Sequence, residues 1–100
     1  MAKIILKSTA KRDLESIISY IENDLNSPTS AKNLLNAFNE KIARLKDFPE
    51  LYPEYGIVKD GKYNYRLFPV NNYLVIYYVY ANDVYIRRII YSKRDIAELL

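Results

Sequence analysis

Two apolar stripes with helical spacing are followed by runs of alternating or continuous apolar residues. In the first stripe Ala10, Leu14, Ile17, Ile18, Ile21 and Leu25 recur at steps of three and four, with one adjacent pair. That spacing puts them on one face of a helix. Ser8 and Thr9 stand where an N-cap is expected. Asn26-Ser27-Pro28 breaks the stripe, and Ser27 with Pro28 suits the start of a second helix. Ala31, Leu34, Leu35, Phe38, Ile42 and Leu45 form its apolar face, and Phe48-Pro49 ends it. So short a connection between amphipathic helices predicts an antiparallel hairpin.

Strands are expected at both ends of the helical region. Lys3–Lys7 is a short aliphatic run flanked by lysines, which suits a first strand. Pro53 and Gly56 mark residues 49–61 as loop. From Lys62 the period becomes two, with Tyr63, Tyr65 and Leu67 alternating with Asn64, Arg66 and Phe68. Pro69 and Asn71-Asn72 read as a turn, and Tyr73–Tyr80 as a central strand covered on both faces. Ala81-Asn82-Asp83 reads as a hairpin turn, Val84–Tyr91 as the last strand, and Lys93–Leu100 as a short terminal helix. Helices and consecutive strands are segregated, so the fold class is α+β in β-α-α-β-β-β order. The hairpin should cover one face of an antiparallel three-stranded meander that the first strand joins. Residues 1–100 are expected to form a single domain.

Composition narrows the chemistry. The chain has no cysteine and no histidine. Disulfides and thiol catalysis are excluded, no metal or cofactor is expected, and a reducing cytoplasmic setting fits. Without histidine, acid–base work at neutral pH would fall to a shifted lysine, tyrosine or carboxylate. No stretch approaches the length of a membrane span, and the opening apolar run is too short for a signal peptide. Net charge is only +3, but residues 61–94 carry Lys62, Arg66, Arg87, Arg88, Lys93 and Arg94 against Asp83 alone. A polyanionic partner, nucleic acid or acidic protein, is therefore expected for that half.

Several motifs resemble the RelE/ParE superfamily of type II toxins, the plasmid-stabilisation or addiction-module toxins. Ala10-Lys-Arg-Asp-Leu-Glu-Ser-Ile-Ile-Ser-Tyr-Ile21 resembles the family's "A..DL..I..YI" opening. Ser27-Pro28, Ala31 and Leu45-Lys-Asp-Phe-Pro49 fit "SP..A … L..FP". Tyr65-Arg66 with Tyr73-Leu-Val-Ile-Tyr77 resembles "YR … Y.I.Y", and Arg88-Ile-Ile-Tyr-Ser-Lys-Arg-Asp95 resembles "R(I/V)(L/I)H..RD". The resemblance implies a small cytoplasmic toxin that inhibits growth and is neutralised by a cognate acidic antitoxin. It implies one of two targets: DNA gyrase for ParE-like members, ribosome-bound mRNA for RelE-like endoribonucleases. A degenerate, non-toxic antitoxin-binding module is the third reading, and self-association into a homodimer when free stays open.

The motifs lean toward ParE. Where RelE-like nucleases keep an arginine after the strand-opening tyrosine, this chain has Leu74. Where many relatives keep a histidine, it has Tyr91, and the nearest match to a C-terminal tyrosine is Leu100. The surviving catalytic candidates are Arg66, Tyr91, Lys93 and Arg94. They can stabilise charge, but they transfer protons poorly, because a phenol's ordinary pKa is about 10. Enzymatic activity is thus the weaker expectation.

Candidates for gripping a partner or target are Tyr63, Arg66, Tyr80, Tyr85, Arg87, Lys93 and Arg94. Tyrosine and arginine are enriched in interfaces. Arg66 is as well suited to organising the sheet as to a site. Arg87 and Arg88 are adjacent, so strict alternation would send them to opposite faces. Arg88 is assigned the structural place. Tyr73, Tyr77 and Tyr78 are assigned to the core, and Tyr63, Tyr80, Tyr85 and Tyr91 to the surface or an interface.

Overall fold

A computed structural model describes residues 1–55 and 63–92. β1 (Ile4–Leu6) leads into α1 (Ser8–Ser19), and α2 (Pro28–Ala43) follows. Then come β2 (Arg66–Val70), β3 (Tyr73–Tyr80) and β4 (Asp83–Tyr91). The expected terminal helix from Lys93 lies outside the described residues.

The sheet has the order β1-β4-β3-β2. β2, β3 and β4 form the expected antiparallel meander, whereas β1 joins β4 in parallel through Ile4–Val84, Ile5–Tyr85 and Leu6–Ile86. The sheet is therefore mixed. The helical hairpin between β1 and β2 covers one face. Ala10, Leu34, Phe38, Ile42 and Leu45 pack there against Phe68, Val70, Val75, Tyr77, Val84, Ile86 and Ile89. Removing the Phe38 ring from water contributes about 2–3 kcal/mol.

Local predictions held where the chain had no competing partner and shifted where it did. The N-cap of α1 is Lys7 and makes no side-chain cap bond. Thr9, expected as a cap, instead donates its hydroxyl to the carbonyl of Arg87 at 2.9 Å. At its C-terminal end α1 widens into a π turn over Tyr20–Asp24, and Leu25 lies more than half exposed. Asn26 then takes a left-handed φ of 50°, which reverses the chain toward Pro28. Ser27 does precede α2, but its hydroxyl bonds that of Ser30 rather than the backbone.

Pro69, expected in a turn, lies inside β2. A proline donates no ladder bond, but β2 is an edge strand, so none is missed there. Its carbonyl accepts a bond from Lys41 Nζ on α2 at 2.6 Å. β2 begins only at Arg66, so Tyr63–Tyr65 precede the strand rather than forming it. The β3–β4 hairpin turns on Ala81 and Asn82 alone, with φ of 51° and 67°, a pair of left-handed residues that matches the twist of the strands.

Candidate functional site

Four places hold the residues singled out above. The first is the corner where residues 49–55 cross the end of β2. Arg66 shares the helix-covered face with Phe68 and Val70 by the two-residue period. It does not project from the sheet face away from the helices. Its Nη1 donates to the carbonyl of Tyr52 and reaches that of Glu50 at 3.5 Å, and Nη2 lies 3.5 Å from Glu54 Oε1. An antiparallel bridge joins Glu54 to Arg66, and the Tyr77 hydroxyl donates to the Pro49 carbonyl at 3.0 Å. Burial pushes the Tyr77 phenol above its ordinary range, so it stays a donor. Arg66 therefore holds the 49–55 loop against the sheet. Beside it opens a cleft of about 300 Å³ reached by Glu50, Glu54, Tyr63, Asn64 and Tyr80.

The second place is the β4 edge. β1 pairs only as far as Ile86, so the backbone groups of Arg87 and Ile89 would face outward without a partner strand. α1 supplies the partners from two residues one turn apart. Thr9 bonds the Arg87 carbonyl, and Asp13 Oδ2 accepts the Ile89 N–H at 3.0 Å. The same carboxylate receives Arg88, with Nε at 2.8 Å and Nη2 at 3.1 Å. The ladder register shifts between Ile76, opposite Arg88, and Tyr77, opposite Ile86. Arg87 is the extra residue of this bulge. The bulge cancels the strict alternation expected of Arg87 and Arg88. Arg87 Nη1 donates back to Thr9 Oγ1 at 3.0 Å.

The third place is the sheet face away from the helices. Tyr65, Ile76, Tyr78 and Ile90 are buried there, with Tyr55, Tyr63, Leu67, Leu74 and Tyr85 around them. Tyr78 is core as expected, but it belongs to this second cluster. Tyr63 stacks on Tyr78 at 4.0 Å, and Tyr78 on Tyr85 at 5.1 Å. Tyr80, 59 % exposed, meets Tyr63 edge-on at 6.1 Å. Lys7 Nζ lies 6.0 Å from the centre of the Tyr85 ring. Burial raises the Tyr78 pKa, and the neighbouring Tyr63 adds to the rise.

The fourth place is the opposite end of the sheet. Tyr73 meets Tyr91 edge-on at 5.9 Å, and Tyr91 is 41 % exposed. Tyr73 is only partly buried, less than a core assignment implies. Burial, followed by the charges of Tyr91 and Tyr20, pushes its pKa up. Lys93 and Arg94 lie outside the described residues.

The structure thus separates the candidates rather than gathering them. Arg66 and Tyr91 lie on the two strands flanking β3 and are four register positions apart, since Arg66 pairs with Tyr77 and Tyr91 with Tyr73. Tyr63, Tyr80 and Tyr85 do share one face. Lys7 and Asp13 were not singled out by sequence, and Thr9 only as a cap, although Asp13 and Arg88 are both fixed letters of the quoted motifs. That co-occurrence was the available sign of their ion pair.

The family model described as "ParE toxin of type II toxin-antitoxin system, parDE" matches residues 4–96. Among solved structures, one described as "Chromosomal ParDE TA system from P. aeruginosa" superposes with a TM-score of 0.75 at 17 % identity. The match covers 93 % of this chain and 98 % of that one, and it establishes the shared fold. No curated protein matches the sequence.

Proposed function

Because this chain belongs to the ParE toxin family of type II toxin–antitoxin systems, we propose that it stops growth by inhibiting DNA gyrase and is held inactive by a cognate antitoxin. The observation that carries the choice of target is the state of Arg66. Of the nuclease candidates among the described residues it is the one strong cation, and its guanidinium is engaged by two loop carbonyls and Glu54. Cleavage by attack of a 2′-hydroxyl needs a base, an acid and cations around one phosphate. Arg66 and Tyr91 lie on different strands and four register positions apart, roughly 13 Å along β3, which argues against their serving one phosphate together. Leu74 packs as an apolar side chain in the cluster on the sheet face away from the helices. A gripping function needs no such convergence.

The test is a supercoiling assay with purified gyrase and purified toxin. Inhibition at concentrations matching those that arrest growth is the expected result. Unimpaired supercoiling together with cleaved messenger RNA would overturn the assignment in favour of the ribonuclease. The antitoxin is tested by co-expression with the product of the neighbouring small gene, which should co-purify with the chain and restore growth.

A further inference from the structure

Where the chain leaves α2 it turns large apolar side chains out to water. Phe48 is 63 % exposed and Leu51 is 47 % exposed. A tight reversal holds them there: the Phe48 N–H bonds the Arg44 carbonyl, and the Leu51 N–H bonds the Phe48 carbonyl. With Pro49, Val79 and Asn82 they line an open hollow of about 460 Å³. A single exposed apolar residue needs no explanation, but two of them bordering one hollow mark a contact surface.

The polar cleft beside Arg66 adjoins this hollow. Glu50 and Val79 line both, so they form the wall between the two. The cleft exists because β3 outruns its neighbour. Arg66, the first residue of β2, pairs with Tyr77, which leaves Tyr78–Tyr80 beyond the paired strand. The one cation of the cleft is already committed, since Arg66 is only 15 % exposed and donates to the Tyr52 and Glu50 carbonyls. The carboxylates are not. Glu50 is exposed and has no ion pair among the described residues, and Glu54 meets Arg66 through one oxygen at 3.5 Å. Two carboxylates against one engaged guanidinium leave an excess of negative charge. A phosphate or carboxylate entering the cleft would meet its own sign. A guanidinium would find two acceptors and the exposed Tyr80 ring.

We propose that this corner docks an extended segment of a partner protein that carries a large apolar residue and, two positions along, an arginine. The apolar side chain enters the hollow beside Phe48 and Leu51, and the guanidinium enters the cleft against Glu50, Glu54 and Tyr80. A spacing of two puts both side chains on one side of the segment, about 7 Å apart, as adjoining pockets require. The preference is opposite in sign to the polyanionic partner that the basic second half suggests. It rests on this corner alone and not on the toxin reading.

The experiment titrates the full chain with the capped peptide Phe-Ser-Arg, followed by NMR. Capped Phe-Ser-Glu is the charge control, and oligothymidylate is the nucleic-acid probe. The expected result is saturable shifts at Phe48, Leu51 and Tyr80 with the arginine peptide, and weaker binding at higher salt. Glu50→Gln and Glu54→Gln should each weaken binding about two- to fivefold, and together about tenfold. Both changes keep side-chain shape at exposed positions, and Glu54→Gln keeps an oxygen for Arg66, so these variants should fold. Leu51→Ser tests the apolar half, with a loss of about fivefold expected. Absence of saturable shifts, equal affinity for the glutamate peptide, or unchanged affinity in the double glutamine variant would each overturn the proposal. So would oligothymidylate shifting these residues while the arginine peptide does not. Gyrase and antitoxin are absent from the assay, so its failure leaves the toxin assignment untouched, and failure of that assignment leaves this surface standing.

Discussion

Substituting Asp13 with alanine should cost this chain a large part of its stability. The carboxylate accepts three bonds at 2.8, 3.0 and 3.1 Å, two from Arg88 and one from the Ile89 backbone. Its side chain and that of Arg88 are 17 % and 18 % exposed, so water replaces these partners poorly. Breaking a buried pair from one side costs about 3–5 kcal/mol, and residual solvent contact brings this nearer 2–3 kcal/mol. Orphaning the Ile89 N–H adds about 1 kcal/mol. The sum, about 3–4 kcal/mol, compares with a total stability of about 5–15 kcal/mol for a domain of this size. The melting temperature should fall by roughly 12–30 °C. Urea unfolding of Asp13→Ala, Arg88→Ala and the double variant checks the origin of the loss. Asp13→Ala should be the costlier single change, because it alone also strands the backbone donor. Asp13→Asn, which keeps an acceptor for Ile89, should fall between it and the wild type. A coupling energy below about 0.5 kcal/mol between the two residues would refute the claim that the pair holds α1 to the β4 edge.

Three shorter predictions follow from other sites. Ala81 holds a φ of 51° in the hairpin turn, so Ala81→Gly should stabilise the protein by about 0.5–1 kcal/mol in urea unfolding. Arg66→Ala should release residues 49–55, seen as faster amide exchange at Tyr55, whose N–H is bonded to the Tyr65 carbonyl, with little change in α1. Tyr73, Tyr77 and Tyr78 all hold their protons above the ordinary phenol pKa, chiefly through burial. Above pH about 10 the unfolded chain would release protons that the folded chain retains. Their contribution should be complete below that pH and vanish as it rises through the folded values, giving a stability that declines in strong alkali.

Much of the fold was written locally. The stripes from Ala10 and Ala31 define helices because their apolar residues can reach a core only at helical spacing. Pro28 marks the start of α2 because it needs no donor there. Ala81-Asn82-Asp83 was legible as a turn from its residue types, although the reversal itself uses only Ala81 and Asn82 and Asp83 already opens β4. The misjudged residues all answer to partners distant in sequence. Pro69 reads as a breaker until β2 is known to be an edge. Thr9 reads as a cap until the carbonyl of Arg87 arrives beside it.

The candidate site shows the same division. That the second half is basic and tyrosine-rich follows from composition, and the resemblance to RelE/ParE toxins, leaning toward ParE, follows from motif order and the departures at Leu74 and Tyr91. Which way each group faces does not, because orientation is set by register, and one bulge resets it. Arg87 and Arg88 would diverge in a regular strand; the extra residue opposite the Ile76–Tyr77 step removes that constraint. Arg66 suited the sheet and a site equally until the loop after α2 folded over it. The sequence by itself determined the elements, their order and the supply of charge, since these depend on neighbours one turn or one pleat away. Only the tertiary structure decided that Asp13 neutralises Arg88 while Arg87 has no carboxylate partner among the described residues, because such pairings join residues more than seventy positions apart.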